Sequence, residues 1–178
     1  MKIVLDPGHS GPVEPGACAG GVRECDVVLA IARLLAEQLE EQGYEVLLTR
    51  SGDIATDDLA FRAELANVHQ ADLFISIHAN SVANPAARGT EVYHFPGSEQ
   101  GRRLASLIQR RLVAELNTAD RGVKEANFQV LRETQCPAVL VEVAFVSHEQ
   151  DRQLLTAYAG QLGAAIAIST AITQYAGR

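Results

Sequence analysis

His9, Glu24, His78 and Glu142 are polar residues in places where a folded chain normally puts apolar ones or backbone turns. His9 follows the first apolar run, Ile3-Val4-Leu5, within four residues, and His78 ends the run Leu73 to Ile77 (LFISI). Glu142 interrupts Val139 to Phe145 (VLVEVAF), where an unpaired carboxylate is expensive to bury. Glu24 opens the first long helical pattern, at the end of a loop that starts beside His9. In open α/β sheets, ligands sit beyond the carboxyl ends of the strands, so these four groups can converge on one point if the strands are neighbours. Two imidazoles and one carboxylate form a recurring catalytic zinc set with a fourth position left to water. A further acid beside that water can take and deliver protons. His9, Glu24 and His78 suit the ligand role and Glu142 the general base. Neutral imidazoles favour zinc over magnesium or calcium, which prefer oxygen.

A plainer reading exists for each residue alone. The spacing 9, 24, 78 is no recognised short motif. A histidine after a strand is commonly a hydrogen-bonded polar residue without further role. Glu24 can serve as an acid favoured at a helix N-terminus, and Glu142 can pair with Arg50 or Arg62. The coincidence of three strand ends favours the joint reading. His69, at a helix end, and His94 and His148 lack this pattern and are weaker candidates. The sequence has no CxxC pair, no Walker A motif and no nucleophile elbow, and Gly8-x-x-Gly11 is not a dinucleotide fingerprint.

The elements that must position these groups follow from periodicity. Lys2 to Leu5 reads as a short buried strand, broken by Pro7, Gly8, Gly11 and Pro12. Val28, Ile31, Leu35 and Leu39 step by three and four, predicting an amphipathic helix over Asp26 to Gln42 with Gly43 beyond its end. Glu45 to Thr49 predicts a second strand. Thr56 or Asp57 is placed to cap a short helix carrying Phe61, Leu65 and Val68. LFISI and VLVEVAF, apolar on both faces, predict central parallel strands. Thr90 to Phe95 predicts another strand, and Ser98 a cap for a helix with Leu104, Ile108, Leu112 and Leu116 inward. Ser147-x-x-Gln150 fits a capping box opening the C-terminal helical region. Residues 117–127 carry no regular pattern. The alternation predicts an α/β fold: a single domain over residues 1–178 with a mostly parallel central sheet of about six strands and helices on both faces.

Composition sets the outer bounds. A chain of 178 residues with 47% hydrophobic and 21% charged residues can build one core and is not disordered. Its net charge of −7 argues against a general nucleic-acid binder or a polybasic membrane-surface protein. Three cysteines, Cys18, Cys25 and Cys136, do not make a disulfide framework. The start reaches Asp6 after three apolar residues, too few for a signal-peptide core, and no run approaches the ~20 residues of a membrane span.

The same residues carry a family resemblance. Ile3-Val4-Leu5-Asp6-Pro7-Gly8-His9 resembles the first motif of the zinc-dependent N-acetylmuramoyl-L-alanine amidases of the amidase-3 family. Matching stretches follow in order: Glu24, Ser76-Ile77-His78-Ala79-Asn80, Arg88-Gly89-Thr90-Glu91-Val92-Tyr93, Arg121-Gly122-Val123-Lys124 through Val130-Leu131-Arg132, and Val139 to Ser147. The resemblance implies that His9, Glu24 and His78 hold one Zn2+, that Glu142 is the catalytic acid, and that the substrate is the amide joining the lactyl group of N-acetylmuramic acid to L-alanine in peptidoglycan. Asn80 is a candidate for orienting the peptide. Two positions depart from the family's Glu-x-Gly-Phe-x-Ser-Asn: Ala144 stands for a glycine and His148 for an asparagine. The helical insertion that blocks the zinc in periplasmic division amidases is not seen, since Ser98 follows closely on Tyr93.

The expectation is therefore a monomeric hydrolase acting on peptidoglycan or muropeptides at the bacterial cell wall, with no nucleic-acid or membrane partner. With no export signal in the sequence given, it would act as a precursor's domain, a phage lysin or an autolysin freed on lysis. The rivals are a zinc exopeptidase or small-molecule deacylase on a related scaffold, and a wall-binding module without turnover.

Overall fold

Six strands form the central sheet, and the two most apolar runs of the sequence lie next to each other in its middle. A computed structural model describes residues 1–177. In chain order the elements are β1 (Lys2–Pro7), the short hairpin β2 (Cys18–Ala19) and β3 (Val22–Arg23), α1 (Glu24–Glu41), β4 (Glu45–Leu48), α2 (Leu59–Val68), β5 (Leu73–Asn80), β6 (Thr90–His94), α3 (Glu99–Leu116), β7 (Asp120–Glu125), α4 (Gln129–Glu133), β8 (Ala138–Phe145), α5 (Glu149–Thr156) and α6 (Tyr158–Tyr175). The sheet order is β4-β1-β5-β8-β6-β7. All neighbours run parallel except β6 and β8.

The two sheet faces do different work. On one, Ile3, Leu5, Ile75, Ile77, Val92, Val139 and Val141 meet the apolar stripes of α1, α3 and α6 in the main core. On the other, Val4, Phe74 and Leu140 meet Ala66 of α2 and Val130 and Leu131 of α4 in a smaller cluster. Side chains alternate along a strand, so every second residue points to this second face. Followed toward the strand ends, it changes from apolar to polar: Val4 gives way to Asp6, Phe74 to Ser76 and His78, Leu140 to Glu142. The parallel register aligns Asp6 with Ser76 and His78 with Glu142. The antiparallel register sets Glu91 opposite Glu142. The site is therefore the polar half of one sheet face, left open where α2 and α4 stop.

Several local expectations are corrected. Asp58, rather than Thr56 or Asp57, caps α2 by accepting from the backbone N–H groups of Ala60 and Phe61. His148, rather than Ser147, caps α5, with its imidazole accepting from Asp151 N. The first long helix begins at Glu24, as its place at the end of the loop suggested, two residues before the stretch Asp26 to Gln42 given by the apolar periodicity. The patternless stretch contains β7, whose sequence Asp120 to Glu125 (DRGVKE) has one apolar residue, Val123, packed at the edge of the core. Ser98 caps α3 as its type suggested, accepting from Gly101 N. No single helix among the described residues is long and apolar enough to cross a membrane.

A buried carboxylate adds to the ladder that holds the antiparallel strand. Asp151, on α5, accepts from Gly89 N at 2.8 Å and from Phe145 N at 3.0 Å, joining the start of β6 to the end of β8. Asp151→Ala leaves two buried donors without their partner. We expect a loss of about 2–4 kcal/mol in urea unfolding; an unchanged midpoint would show that the clamp contributes nothing.

Candidate metal centre

Glu24 is the point on which the site closes. As the first residue of α1 it faces the carboxyl ends of β1 and β5, and it is 5% exposed. Its Oε1 lies 3.0 Å from His78 Nδ1 and accepts from Ala79 N at 3.0 Å. Its Oε2 lies 3.0 Å from His9 Nε2 and accepts from Ala17 N at 2.9 Å. The two imidazoles meet edge to face with ring centres 5.0 Å apart. One donor atom from each of His9, Glu24 and His78 lies within 4.8 Å of the others. Donors held ~2.1 Å from a tetrahedral cation are about 3.4 Å apart, so this set closes on a zinc-sized ion with small movements.

The backbone around the donors is shaped to this arrangement. A Cβ on Gly8 would lie 2.3 Å from His78 Cε1, and one on Gly16 would lie 2.5 Å from His9 Nε2 and 2.7 Å from Glu24 Oε2. Both glycines are therefore required by close approach. His9 itself has a positive φ of 64°, a conformation that must be held by its surroundings. Arg62 holds it. Its buried guanidinium donates to His9 O at 2.7 Å and Pro7 O at 3.0 Å and pairs with Asp6 and Asp57. Asp6 in turn accepts from Thr49 Oγ1 and Ser76 Oγ, both at 2.7 Å. The far side of the His9 ring is held by Glu14, whose carboxylate pairs with Nδ1. A carboxylate behind a ligating imidazole fixes its tautomer and raises its basicity.

A second cluster, His9, Glu14 and Asp57, also brings three donors together. There Arg62 already holds Asp57 Oδ1, so that position carries its own cation.

The charges follow from burial and pairing. Burial alone would lower His9, but the carboxylates of Glu24 and Glu14 outweigh it and push its pKa up to about 9. His78 is raised in the same way, against burial, by Glu24 and Glu142. Glu24, which burial would raise, is held well below the carboxylate range by the two imidazoles. Glu142 differs from all of these. Its Oε2 is buried with no hydrogen-bond partner among the described residues. Burial, reinforced by Glu24 and Glu91 and opposed by His78, pushes its pKa up to about 7. Neither arginine offered as its partner pairs with it: Arg62 is engaged as above, and Arg50 donates to the carbonyls of Pro7, Gly8 and Cys25. A carboxyl poised near neutrality beside a donor cluster is a proton-transfer group by its chemistry.

His78, Glu142 and His9 open on a cleft of about 330 Å3 whose apolar wall is Leu59, Phe128, Val130 and Leu140. The side-chain NH2 of Asn80 donates to Glu91 Oε1 at 2.6 Å. Ala144 is fully buried in the main core, away from the cleft. His69 lies outside the site as the C-cap of α2, and His94 is buried with Nδ1 near Phe95 O. Asp6, Glu14 and Glu91 were given no role in the site from the sequence, and Arg62 was offered only as a partner for Glu142, which it is not. For Glu91 the signal was present: like Glu142, it is a carboxylate inside a strand.

Comparison with known proteins gives one answer. The family model described as N-acetylmuramoyl-L-alanine amidase matches residues 3–174. The chain is 40% identical over 176 residues to the uncharacterized protein YqiI of Bacillus subtilis, covering 97% of this chain and 84% of that one. It is 40% identical over 155 residues to the N-acetylmuramoyl-L-alanine amidase LytC of the same species, covering 86% of this chain but 31% of LytC. Among solved structures, the amidase AmiC2 of Nostoc punctiforme superposes with a TM-score of 0.94 at 36% identity, covering 100% of this chain and 98% of that one.

Two outcomes test the site's electrostatics. Arg62→Met strands the Asp6 carboxylate in a buried setting, and we expect a loss of about 3–5 kcal/mol in unfolding free energy; a loss below 1 kcal/mol would contradict the role given to Arg62. Glu142 binds its proton more tightly folded than unfolded, so its contribution to stability is present below pH 4.5 and lost as pH rises through about 7. Metal-free Glu142→Gln protein is therefore expected to exceed the parent by about 3 kcal/mol at pH 8 and to match it near pH 4. Equal stability at both pH values would show that Glu142 is not strained.

Proposed function

The chain belongs to the N-acetylmuramoyl-L-alanine amidase family, and from that we propose that it hydrolyses the amide between the lactyl group of N-acetylmuramic acid and L-alanine of the peptidoglycan stem peptide, with one zinc ion held by His9, Glu24 and His78. The observation that carries this reading is the convergence of those three donors beside a buried carboxylate oxygen without a partner. We read residues 1–178 as one catalytic domain, acting on the bacterial cell wall. The amidases among its relatives support the substrate assignment.

Zinc bound at this set would polarise the carbonyl and make a water molecule acidic near neutral pH. The chain's own groups supply the rest. Glu142 Oε2, free of other partners, accepts a proton from the attacking water. The same carboxyl then donates that proton to the nitrogen of L-alanine as the C–N bond breaks, which makes the amine a competent leaving group. No covalent bond to the protein is needed. Arg62 and Glu14 hold His9 in place, and Gly8 and Gly16 give both imidazoles room. The apolar wall formed by Leu59, Phe128, Val130 and Leu140 offers a nonpolar surface to one side of the reacting amide.

Digestion of purified muropeptides, followed by mass spectrometry for free stem peptide, tests the reaction and separates it from exopeptidase or simple deacylase chemistry. We expect release that stops with a chelator and returns with Zn2+. Glu142→Gln should retain zinc by elemental analysis and lose at least about 100-fold in kcat. His78→Ala should lose the metal itself. Wild-type turnover in Glu142→Gln, or cleavage elsewhere in the peptide, would end the assignment.

A further inference from the structure

On the sheet face that carries Glu142, a second polar cluster lies over β6 and the edge strand β7. Its centre is Glu91, which is 2% exposed and directly opposite Glu142 in the strand register. Glu91 receives four hydrogen bonds: from Asn80 Nδ2 at 2.6 Å and Tyr93 OH at 2.7 Å on Oε1, and from Arg121 Nε at 2.7 Å and Lys124 Nζ at 2.5 Å on Oε2. Burial would raise this carboxyl, but those donors hold it below its ordinary range.

The cluster is satisfied at its buried end and open at its other end. Two cations share one carboxylate, leaving one unit of positive charge, in a protein of net charge −7. The side chains of Arg121 and Lys124 are 34% and 38% exposed. Arg121 engages Glu91 through Nε alone; among the described residues no hydrogen bond takes its two terminal amino groups. The guanidinium lies 4.8 Å over the Phe145 ring, which fixes its plane, and Lys124 Nζ lies 5.7 Å from the Tyr93 ring centre. Tyr93 packs edge to face on Phe128 of the cleft wall at 5.3 Å, so the cluster borders the cleft. A rigid guanidinium with its paired N–H edge unused is the form that binds a carboxylate with two parallel hydrogen bonds.

We propose that Arg121, with Lys124 and held by Glu91, is a specificity site for a carboxylate on the peptide side of the scissile amide, on the residue that follows L-alanine. This rests on the amidase reading of the neighbouring site. The muramoyl side of that bond has spent its carboxyl in the amide, so an ionised carboxyl belongs to the peptide. Adjacent strands are ~4.8 Å apart, which puts β7 about 10 Å from β8. Arg121 reaches back from β7 to Glu91, and its free edge falls within about one to two peptide residues of an amide at Glu142. Glu91 serves as a positioning residue: it orders two long side chains before substrate arrives.

The test uses zinc-loaded Glu142→Gln protein, so that ligands stay intact, and two muramoyl dipeptides that differ only in a carboxylate or a carboxamide on the residue after L-alanine. Calorimetry should give about 10- to 100-fold tighter binding of the carboxylate form. Adding Arg121→Gln should bring the two affinities within about threefold, while Arg121→Lys, which keeps the charge but not the fork, should retain part of the preference. Equal affinities in the parent, no binding of either ligand, or a preference that survives Arg121→Gln would overturn the proposal. Carboxylate preference in a chain that releases no stem peptide would uphold this site and end the amidase reading instead.

Discussion

Polar groups beside a core must find partners, and in this protein one carboxylate supplies them for two imidazoles, one just beyond β1 and one in β5. Glu24 has both oxygens committed, to His78 and Ala79 on one side and to His9 and Ala17 on the other. A buried charge with fewer partners would neutralise or disrupt its surroundings. The carboxylate therefore brings together the end of β1, the start of α1 and the end of β5, which are remote in sequence. The unpartnered Oε2 of Glu142 stands out against this background. His9, Glu24 and His78 satisfy one another, whereas Glu142, which lines the cleft, keeps a buried oxygen without a hydrogen-bond partner among the described residues.

Support extends outward in layers of the same kind. Arg62, joined to Asp6 and Asp57, holds the positive-φ backbone at His9 from below. Glu14 holds the ring from behind. On the far side of Glu142, Glu91 orders Arg121 and Lys124. These networks make the site a rigid part of the sheet, and rigidity of this type lets binding energy go into positioning a substrate.

Much of this was legible in the sequence, for identifiable reasons. Strands β1, β5 and β8 are short apolar runs that end or break at a histidine or glutamate, so both the strand and its exceptional residue were visible. The stripes of α1 and α3 fixed those helices. Strand β7 was not legible: at the sheet edge Asp120 to Glu125 needs few apolar side chains, and only the ladder with β6 defines it. The reversed direction of β6 also has no local signature, because TEVYH pairs equally well either way. Caps at Asp58 and His148 replaced nearby candidates of similar chemistry. The Arg62–Asp6 pair spans 56 residues, and sequence spacing carries no information on such a contact.

The reading of the site depends on His9, Glu24 and His78 sharing one cation. A crystal structure of the zinc-loaded protein, with anomalous data collected at the zinc edge, tests it most directly. A shared site gives a single peak about 2.1 Å from His9 Nε2, His78 Nδ1 and a Glu24 oxygen. A peak between Glu14 and Asp57, or none within reach of both imidazoles, would contradict it.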